Sequence, residues 1–293
     1  MRLHARPMRD DDATAVLELV NADRLPCQPL CTAAMLDEAR AGRSLVDGPS
    51  WAELEGLHVD VVETADGSGL AGVVSYAHRS TDGAGVILWL HGREDTEVVR
   101  LLTDHAVGAM GEVTTVDAFP FATALGMGLE ALPVRHRPVT HQVLLDRGFH
   151  GRALWRYLCR KLPAPGLLPR GGRIRVSPVE DGRRRLTLHS ADRVLGEATV
   201  GVPLAGVGVV WWVEVHPSTR GVGLGRTLFG SALDVLARAG ATEVVLYVDD
   251  GGPGGTPDRA AARALYESAG FEEVDRLVSL RRGGSAEAVS ALP

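Results

Sequence analysis

Lysine is almost absent from this chain: Lys161 is a single lysine among 31 basic residues in 293. Arginine dominance of this kind is the usage of a GC-rich bacterial coding sequence and carries no mechanistic message. Cysteine is scarce too, with Cys27, Cys31 and Cys159 as the whole complement. An odd set of three is too small for a disulfide framework. Cys27 and Cys31 lie four apart, but no second Cys/His pair at ligand spacing stands near them, so free thiols and no metal are expected. No apolar run approaches the ~20 residues that span a bilayer. The first twelve residues, Met-Arg-Leu-His-Ala-Arg-Pro-Met-Arg-Asp-Asp-Asp, carry charge where a secretion signal carries an apolar stretch. A cytoplasmic protein without a membrane partner is expected. Positive charge is in deficit, at a net −6, which argues against a nucleic-acid binder.

What is present is enough hydrophobic residue, 45%, to build a substantial core in one large domain or two of ordinary size. The stretch Leu162-Pro-Ala-Pro-Gly-Leu-Leu-Pro-Arg-Gly-Gly172 holds three prolines and three glycines and can continue neither a helix nor a central strand. It predicts domains at 1–162 and 173–285 with a linker at 163–172. Acidic charge is uneven across that boundary. Through Leu162 there are 16 basic and 22 acidic residues, against 15 and 15 beyond it.

In the first half, hydrophobic periodicity predicts an extended piece at 3–8, helices at 11–21 and 33–41, and strands at 57–64, 69–78 and 85–90. A helix at 96–110, a strand at 113–118, a short helix at 122–129 and a strand at 152–162 follow. The second half predicts strands at 173–176, 184–189, 194–200 and 207–215, a helix ending at Gly240, a strand at 244–248, a helix at 258–269 and a last strand at 274–280. Gly148-Phe149 and Gly270-Phe271 fall at matching points of the two series. The shared order reads as an internal duplication with two diverged copies.

The most informative stretch is Val215-His216-Pro217-Ser218-Thr219-Arg220-Gly221-Val222-Gly223-Leu224-Gly225-Arg226, placed between an apolar strand and a helix. Glycines at alternate positions let the backbone turn sharply and come close to a ligand. Amides at the start of the next helix then point outward beside the positive end of its dipole. That is a cradle for a phosphate-like anion. No Gly-Lys-Ser/Thr occurs, which excludes a Walker loop, and the spacing lacks the Gly-x-Gly-x-x-Gly of a dinucleotide fold.

Arg220-Gly-Val-Gly223-Leu-Gly225, preceded by Val-His-Pro, is similar to the Arg/Gln-x-x-Gly-x-Gly/Ala loop of the GNAT superfamily of N-acetyltransferases. Ala262-Arg-Ala-Leu265-Tyr266-Glu-Ser-Ala-Gly270-Phe271 resembles that family's Ala-x-x-Leu-Tyr-x-x-x-Gly-Phe segment. The resemblance covers 173–282 and reaches the first half through element order only. It implies an α+β fold of two GNAT-like domains in tandem, each a mixed, mostly antiparallel sheet flanked by helices. It further implies one acetyl-CoA per chain as cosubstrate, held by Val215, Arg220, Gly221, Val222, Gly223, Leu224, Gly225, Arg226 and Thr227. The activity implied is direct transfer of acetyl to a primary amine of a small molecule or peptide, by a monomer or homodimer.

Such a transfer needs the amine to lose a proton, the carbonyl oxygen to be stabilised and the departing thiolate to be protonated. Tyr266 falls at the family's general acid position, and a phenol of pKa ~10 can pass a proton to a thiolate of ~8.5. Glu214 is at the family's general base position. It lies in an apolar run where burial would raise its pKa, although strand alternation would equally set it on a solvated face. The Val215 amide is the family-like oxyanion donor, with a strand bulge expected there, and His216 is a lesser alternative base. Leu246-Tyr247-Val248-Asp249 resembles the pattern of mycothiol synthases, which are tandem GNAT proteins. Their following Asn is replaced here by the insert Asp250-Gly-Gly-Pro-Gly-Gly-Thr-Pro-Asp258 and Arg259. A cysteinyl amine is therefore an alternative acceptor, and a non-catalytic acyl-CoA sensor an alternative of another class.

The first copy departs further. Its turn reads His91-Gly-Arg-Glu-Asp-Thr-Glu97 and its closing helix has Leu144-Leu145 with no tyrosine. The expectation is a degenerate domain that does not hold acetyl-CoA. It keeps two early helices that the second half lacks, and by resemblance such helices help wall the acceptor pocket.

Overall fold

The computed structural model describes residues 3–44, 47–64, 67, 69–127, 129–164, 173–191, 193–249 and 257–283. The first half runs β1 (Leu3–Pro7), α1 (Ala13–Ala22), α2 (Ala33–Arg40), α3 (Gly48–Ala52), β2 (Leu54–Thr64), β3 (Leu70–Arg79), β4 (Gly85–His91), α4 (Thr96–Ala109), β5 (Thr115–Ala118), β6 (Leu132–Pro133), α5 (Pro138–Asp146) and β7 (His150–Lys161). The second runs β8 (Arg173–Val176), β9 (Arg183–Ser190), β10 (Arg193–Gly201), β11 (Val207–Val215), α6 (Leu224–Arg238), β12 (Glu243–Asp249), α7 (Pro257–Ser268) and β13 (Glu272–Gly283). The segment expected as a helix at 122–129 contains only a 3-10 turn, Ala124–Gly126, closed by Met127 in the left-handed region.

These elements form two compact units, and neither is a contiguous stretch of sequence. Unit 1 comprises Met1–Leu25, Leu30–Leu154 and Asp275–Pro293, and unit 2 comprises Pro26–Pro29 and Trp155–Val274. The expected boundary at 162 is therefore corrected. The reason is pairing: β7 belongs to the first half by order, yet its end joins β12 antiparallel with Tyr157 opposite Tyr247. In exchange, the end of β13 joins β5 with Leu280 opposite Ala118. Each unit is thus closed by a strand from the other half of the chain. The chain passes from unit 1 to unit 2 within β7, between Leu154 and Trp155, and returns between Val274 and Asp275; residues 165–172 of the proline-rich stretch lie outside the described residues.

Within unit 1, β1 to β4 pair antiparallel in order and β4 pairs parallel with β5. Period-2 alternation buries both faces. Val62, Val74, Leu90 and Leu280 pack with Val99 and Leu102 of α4 and Leu144 of α5. Val61, Val73 and Leu88 pack with Val16 and Leu19 of α1 and Leu36 of α2. In unit 2, β8 to β11 pair antiparallel and β11 pairs parallel with β12. Leu186, Ala198, Val200, Val210 and Leu246 pack against Leu228, Phe229, Leu233 and Leu236 of α6. Each of those large side chains gains about 1.5–3 kcal/mol from full burial. Leu265 and Tyr266 of α7 lean on the same cluster, so both helices of unit 2 lie on one face of its sheet.

The opposite face of that sheet carries Trp211, Tyr247 and Tyr157 in ring contact, and Cys159. Cys27 and Cys159 are joined as a disulfide with Cα atoms 6.3 Å apart, within normal bridging range. Free thiols are therefore corrected for this pair, and only Cys31 remains free and buried. Pairing across 132 positions leaves no mark in local spacing. The bridge ties Pro26–Pro29 into unit 2.

Candidate active site

β11 pairs with β12 only from Val207 opposite Glu243 to Val210 opposite Leu246. Beyond that point both strands continue, to Val215 and Asp249, and no pairing between them follows. The parallel pair therefore splits into a wedge lined by backbone groups. A bulge sits at its apex: Thr199 opposes Trp212 and Val200 opposes Val210, leaving Trp211 as the extra residue. The bulge expected at Val215 thus lies four residues earlier. At the mouth, the His216 amide donates to the Leu195 carbonyl at 2.8 Å. Successive residues of a strand point their backbone groups to opposite edges, so the Val215 amide is aimed away from β10 and toward the wedge. The Val215 carbonyl accepts from Arg220 Nε at 3.0 Å.

The turn after β11 is held from one side. His216 Nδ1 lies 2.8 Å from Ser218 Oγ, and its side chain accepts from the Ser218 amide, which commits the ring to capping a single turn, Pro217–Thr219. Gly221 and Gly223 then take φ of 82° and 86°, where a side chain is strained. Gly225 needs no such freedom, since a Cβ there would meet only ordinary contacts at 3.7 and 3.8 Å. Its bareness leaves the first turn of α6 uncovered. No side chain caps the N-terminus of α6. The Thr227 amide donates to the Gly223 carbonyl at 3.2 Å and its side chain is buried, which withdraws it from the cradle. The outward amides are those of Leu224, Gly225 and Arg226. Val222 is 74% exposed at the lip, and Arg226 donates to Ser268 Oγ at 3.1 Å.

Tyr266 packs at a tilt on Phe229 and edgewise on Phe271, with ring centroids 5.1 and 6.4 Å away. Burial pushes its phenol above the usual tyrosine range, which keeps the proton on at neutral pH. Its hydroxyl has no hydrogen-bond partner among the described residues. Glu214 is exposed, so of the two placements the sequence leaves open, the structure realises the solvated face. Asp249 is also exposed at the end of β12, and the insert 250–256 lies outside the described residues.

Unit 1 repeats the architecture with different wiring. β4 and β5 pair only over Gly85–Ile87 and Val116–Ala118, so a second wedge opens. The turn that follows has Arg93 and Glu94 at φ 51° and 54°, again left-handed. Here Asp95 caps α4, accepting from the amides of Glu97 and Val98 at 2.9 and 3.1 Å. Glu94 accepts from Arg137 Nε at 2.6 Å and from the Val139 and Thr140 amides at 2.7 and 3.0 Å. Arg137 also donates to the Leu90 carbonyl at 3.0 Å, the unpaired edge of β4. Of the three acids in this turn, Glu94 is half-buried and bonded and Asp95 is spent on the helix cap, while Glu97 is exposed. Neither Arg137 nor its partner Asp23 stood out in the sequence, because their contacts join segments far apart.

A strand split after a short parallel pairing, a helix start behind a glycine turn and a tyrosine on the next helix stand together in unit 2 as a candidate site. The model of the Acetyltransferase (GNAT) family matches residues 178–271, so this stretch of the chain is similar to that family. A mycothiol acetyltransferase of Kocuria rhizophila is 45% identical over 86 residues, 28% of this chain and 26% of its own length. A second, from Beutenbergia cavernae, is 41% identical over 81 residues, 28% of this chain and 25% of its own. The matched stretches span about a quarter of these relatives. A tandem GNAT protein from the clavulanic acid biosynthesis pathway superimposes with a TM-score of 0.64 at 18% identity, covering 97% of this chain and 100% of its own. The fold is that of a tandem GNAT protein.

Proposed function

We propose that the protein transfers acetyl from acetyl-CoA to a primary amine of a small molecule or peptide, by direct attack in a ternary complex, with one acetyl-CoA bound per chain in unit 2. The observation that carries this reading is the glycine turn of unit 2, whose N-cap Gly223 makes no side-chain cap bond, set beside the split of β11 from β12, where the matching turn of unit 1 is capped by Asp95 and its β4 edge is bonded by Arg137. The outward amides of Leu224, Gly225 and Arg226, with the charge of Arg220 and Arg226, suit a pyrophosphate, while Gly221, Val222 and Gly223 shape the approach to it. The bound cosubstrate would supply the activated acyl group. Around it, the Val215 amide stabilises charge on the acyl oxygen, Tyr266 returns a proton to the departing thiolate, and exposed Glu214 accepts the amine's proton through water.

Tyr266→Phe removes a hydroxyl that has no partner among the described residues and leaves the aromatic packing in place. Turnover is expected to fall about a hundredfold or more, with acetyl-CoA affinity by calorimetry unchanged. An unchanged rate would remove Tyr266 from the reaction. Binding of acetyl-CoA with no consumption against a broad amine panel would support the sensor reading. A second acceptor reading, the cysteinyl amine of a small thiol, is favoured by the mycothiol acetyltransferase relatives and by Leu246-Tyr247-Val248-Asp249. Acetylation of a cysteinyl amino sugar in preference to other amines would establish it.

A further inference from the structure

The face of the unit 2 sheet turned away from α6 and α7 shows what kind of amine the site receives. Val213, Ala198, Leu246 and Val248 point into the α6 side, so their strand neighbours Glu214, Glu197 and Tyr247 point to the other. The bulge brings Trp211 onto that same face. Trp211 and Tyr247 are the first residues of β11 and β12 beyond the split, and their rings stack across it, 6.2 Å apart and 18° from parallel. This aromatic pair floors the apex of the wedge. One step toward the mouth, Trp212 is 57% exposed, far more than a large indole ordinarily is when nothing binds it. Beside it, Glu214 and Glu197 are direct cross-strand partners. Like charges in that position repel, and neither carboxylate has an ion-pair or hydrogen-bond partner among the described residues.

The Arg183 guanidinium lies over the Trp211 ring, 5.8 Å from its centroid, so the cation-attracting part of this face is the two facing carboxylates beside the exposed Trp212 indole, which attract an ammonium ion and repel a carboxylate close to them. Building on the acetyltransferase reading, we propose that Glu197 is an acceptor-specificity residue that holds the amine against Glu214, and that the acceptor is a primary amine bearing no carboxylate beside its nitrogen, with its stem along Trp212 and the Trp211–Tyr247 stack. Amides of amino acids, amino sugars and polyamines belong to this class; free α-amino acids do not. Glu197 acts before the chemistry, by binding, so its loss appears in KM. Glu214 acts on the proton and its loss appears in kcat.

The test uses the full chain with acetyl-CoA and four probes: S-methylcysteinamide, S-methylcysteine, glucosamine and spermidine. The expected result is that at least one of the three carboxylate-free amines is acetylated, with kcat/KM at least tenfold above S-methylcysteine. In Glu197→Gln the KM of that amine should rise about tenfold while kcat and the calorimetric Kd of acetyl-CoA stay put, and the margin over S-methylcysteine should shrink. A thermal melt that is not lowered shows that the variant folds, as expected when a like-charge pair is removed. Preference for S-methylcysteine, a Glu197→Gln enzyme that discriminates as before, or an acetyl-CoA-binding protein that acetylates none of the carboxylate-free amines each overturns the proposal. Absence of acetyl-CoA binding would instead overturn the underlying acetyltransferase reading.

Discussion

The two strand-to-helix turns, His216 to Leu224 in unit 2 and His91 to Thr96 in unit 1, bend the chain through the same left-handed backbone and leave opposite surfaces. In unit 2 the left-handed positions are glycines, the N-cap Gly223 offers no side-chain cap, and β11 and β12 run on unpaired with each other beyond Val210 and Leu246. In unit 1 the left-handed positions are Arg93 and Glu94, Asp95 caps the helix, and Arg137 bonds the exposed edge of β4. The two turns thus differ by a few side chains on one scaffold. A helix N-terminus must have its amides satisfied by something. Unit 1 uses its own carboxylate, and in the reading proposed above unit 2 leaves the position to a ligand.

The largest effect expected from disturbing this contrast is on unit 1. The Arg137 side chain is only 4% exposed and is paired with Glu94 and with Asp23, itself 3% exposed. Arg137→Met takes the cation from buried Asp23 and half-buried Glu94, and losing one partner of a buried ion pair costs about 3–5 kcal/mol. Urea unfolding followed by amide exchange in β4 should show that loss, with acetyl-CoA affinity unaltered. Stability unchanged within 1 kcal/mol, roughly the value of a surface pair, would mean that the network does not hold the wedge shut.

Next is the attempt to convert unit 2 into the likeness of unit 1. Gly223→Asp places a capping carboxylate at the start of α6, where a Cβ meets nothing within 4 Å and where Asp is among the residues that tolerate φ above zero. The carboxylate would take the amides that the anion needs and repel its charge. Acetyl-CoA affinity by calorimetry should fall about a hundredfold, close to 2.7 kcal/mol, with the fold kept. Undiminished affinity would show that the α6 amides are not the anchor.

A smaller effect comes with pH. Burial holds the His91 imidazole below its usual range, against the pull of Asp23. Burial opposes ionisation of Asp23, yet the His91 bond and Arg137 bring its carboxyl below the ordinary aspartate range. Both folded-state values are depressed, so the native state binds fewer protons than the unfolded chain. Unit 1 should therefore keep its full stability above about pH 6.5 and lose it as acid is added, first through His91 and only then through Asp23, at up to about 1.4 kcal/mol per pH unit for each proton. His91→Gln should flatten the upper part of that curve. A stability profile level from pH 7 to 5 in the native protein would contradict the burial argument.

Legibility followed the range of the interactions. Strands such as Arg173–Val176 and Val207–Val215, and the helix behind the glycine turn, were readable because alternation and 3.6-residue periodicity are local. The cradle was readable for the same reason, since Gly221 and Gly223 report their own backbone conformation. The exchange of β7 and β13 was not, because an apolar strand does not name its partner and the chain changes unit inside β7, away from the prolines that the sequence offers as a boundary. The Cys27–Cys159 bridge and the Arg137–Glu94–Asp23 network were hidden by their separations of 132 and, for Arg137 with Glu94, 43 positions. Glu214 was readable as a position and ambiguous as an environment, since facing residues on β10 decide whether a strand carboxylate meets water.

The smallest effect expected is none at all, and it probes the contrast from the other side. Arg93 occupies the place in unit 1 that a glycine occupies in unit 2, and an arginine beside a helix N-terminus invites assignment as a phosphate ligand. In this turn the neighbouring amides already serve Asp95, and Glu94 is bonded to Arg137 and the start of α5. An anion arriving at Arg93 would find a cation but no backbone donors. Arg93→Ala should therefore leave acetyl-CoA affinity where it is, with one site per chain. A tenfold loss, about 1.4 kcal/mol, or a measured stoichiometry of two, would mean that the unit 1 turn opens in solution and that its carboxylates are a gate where a plug is inferred.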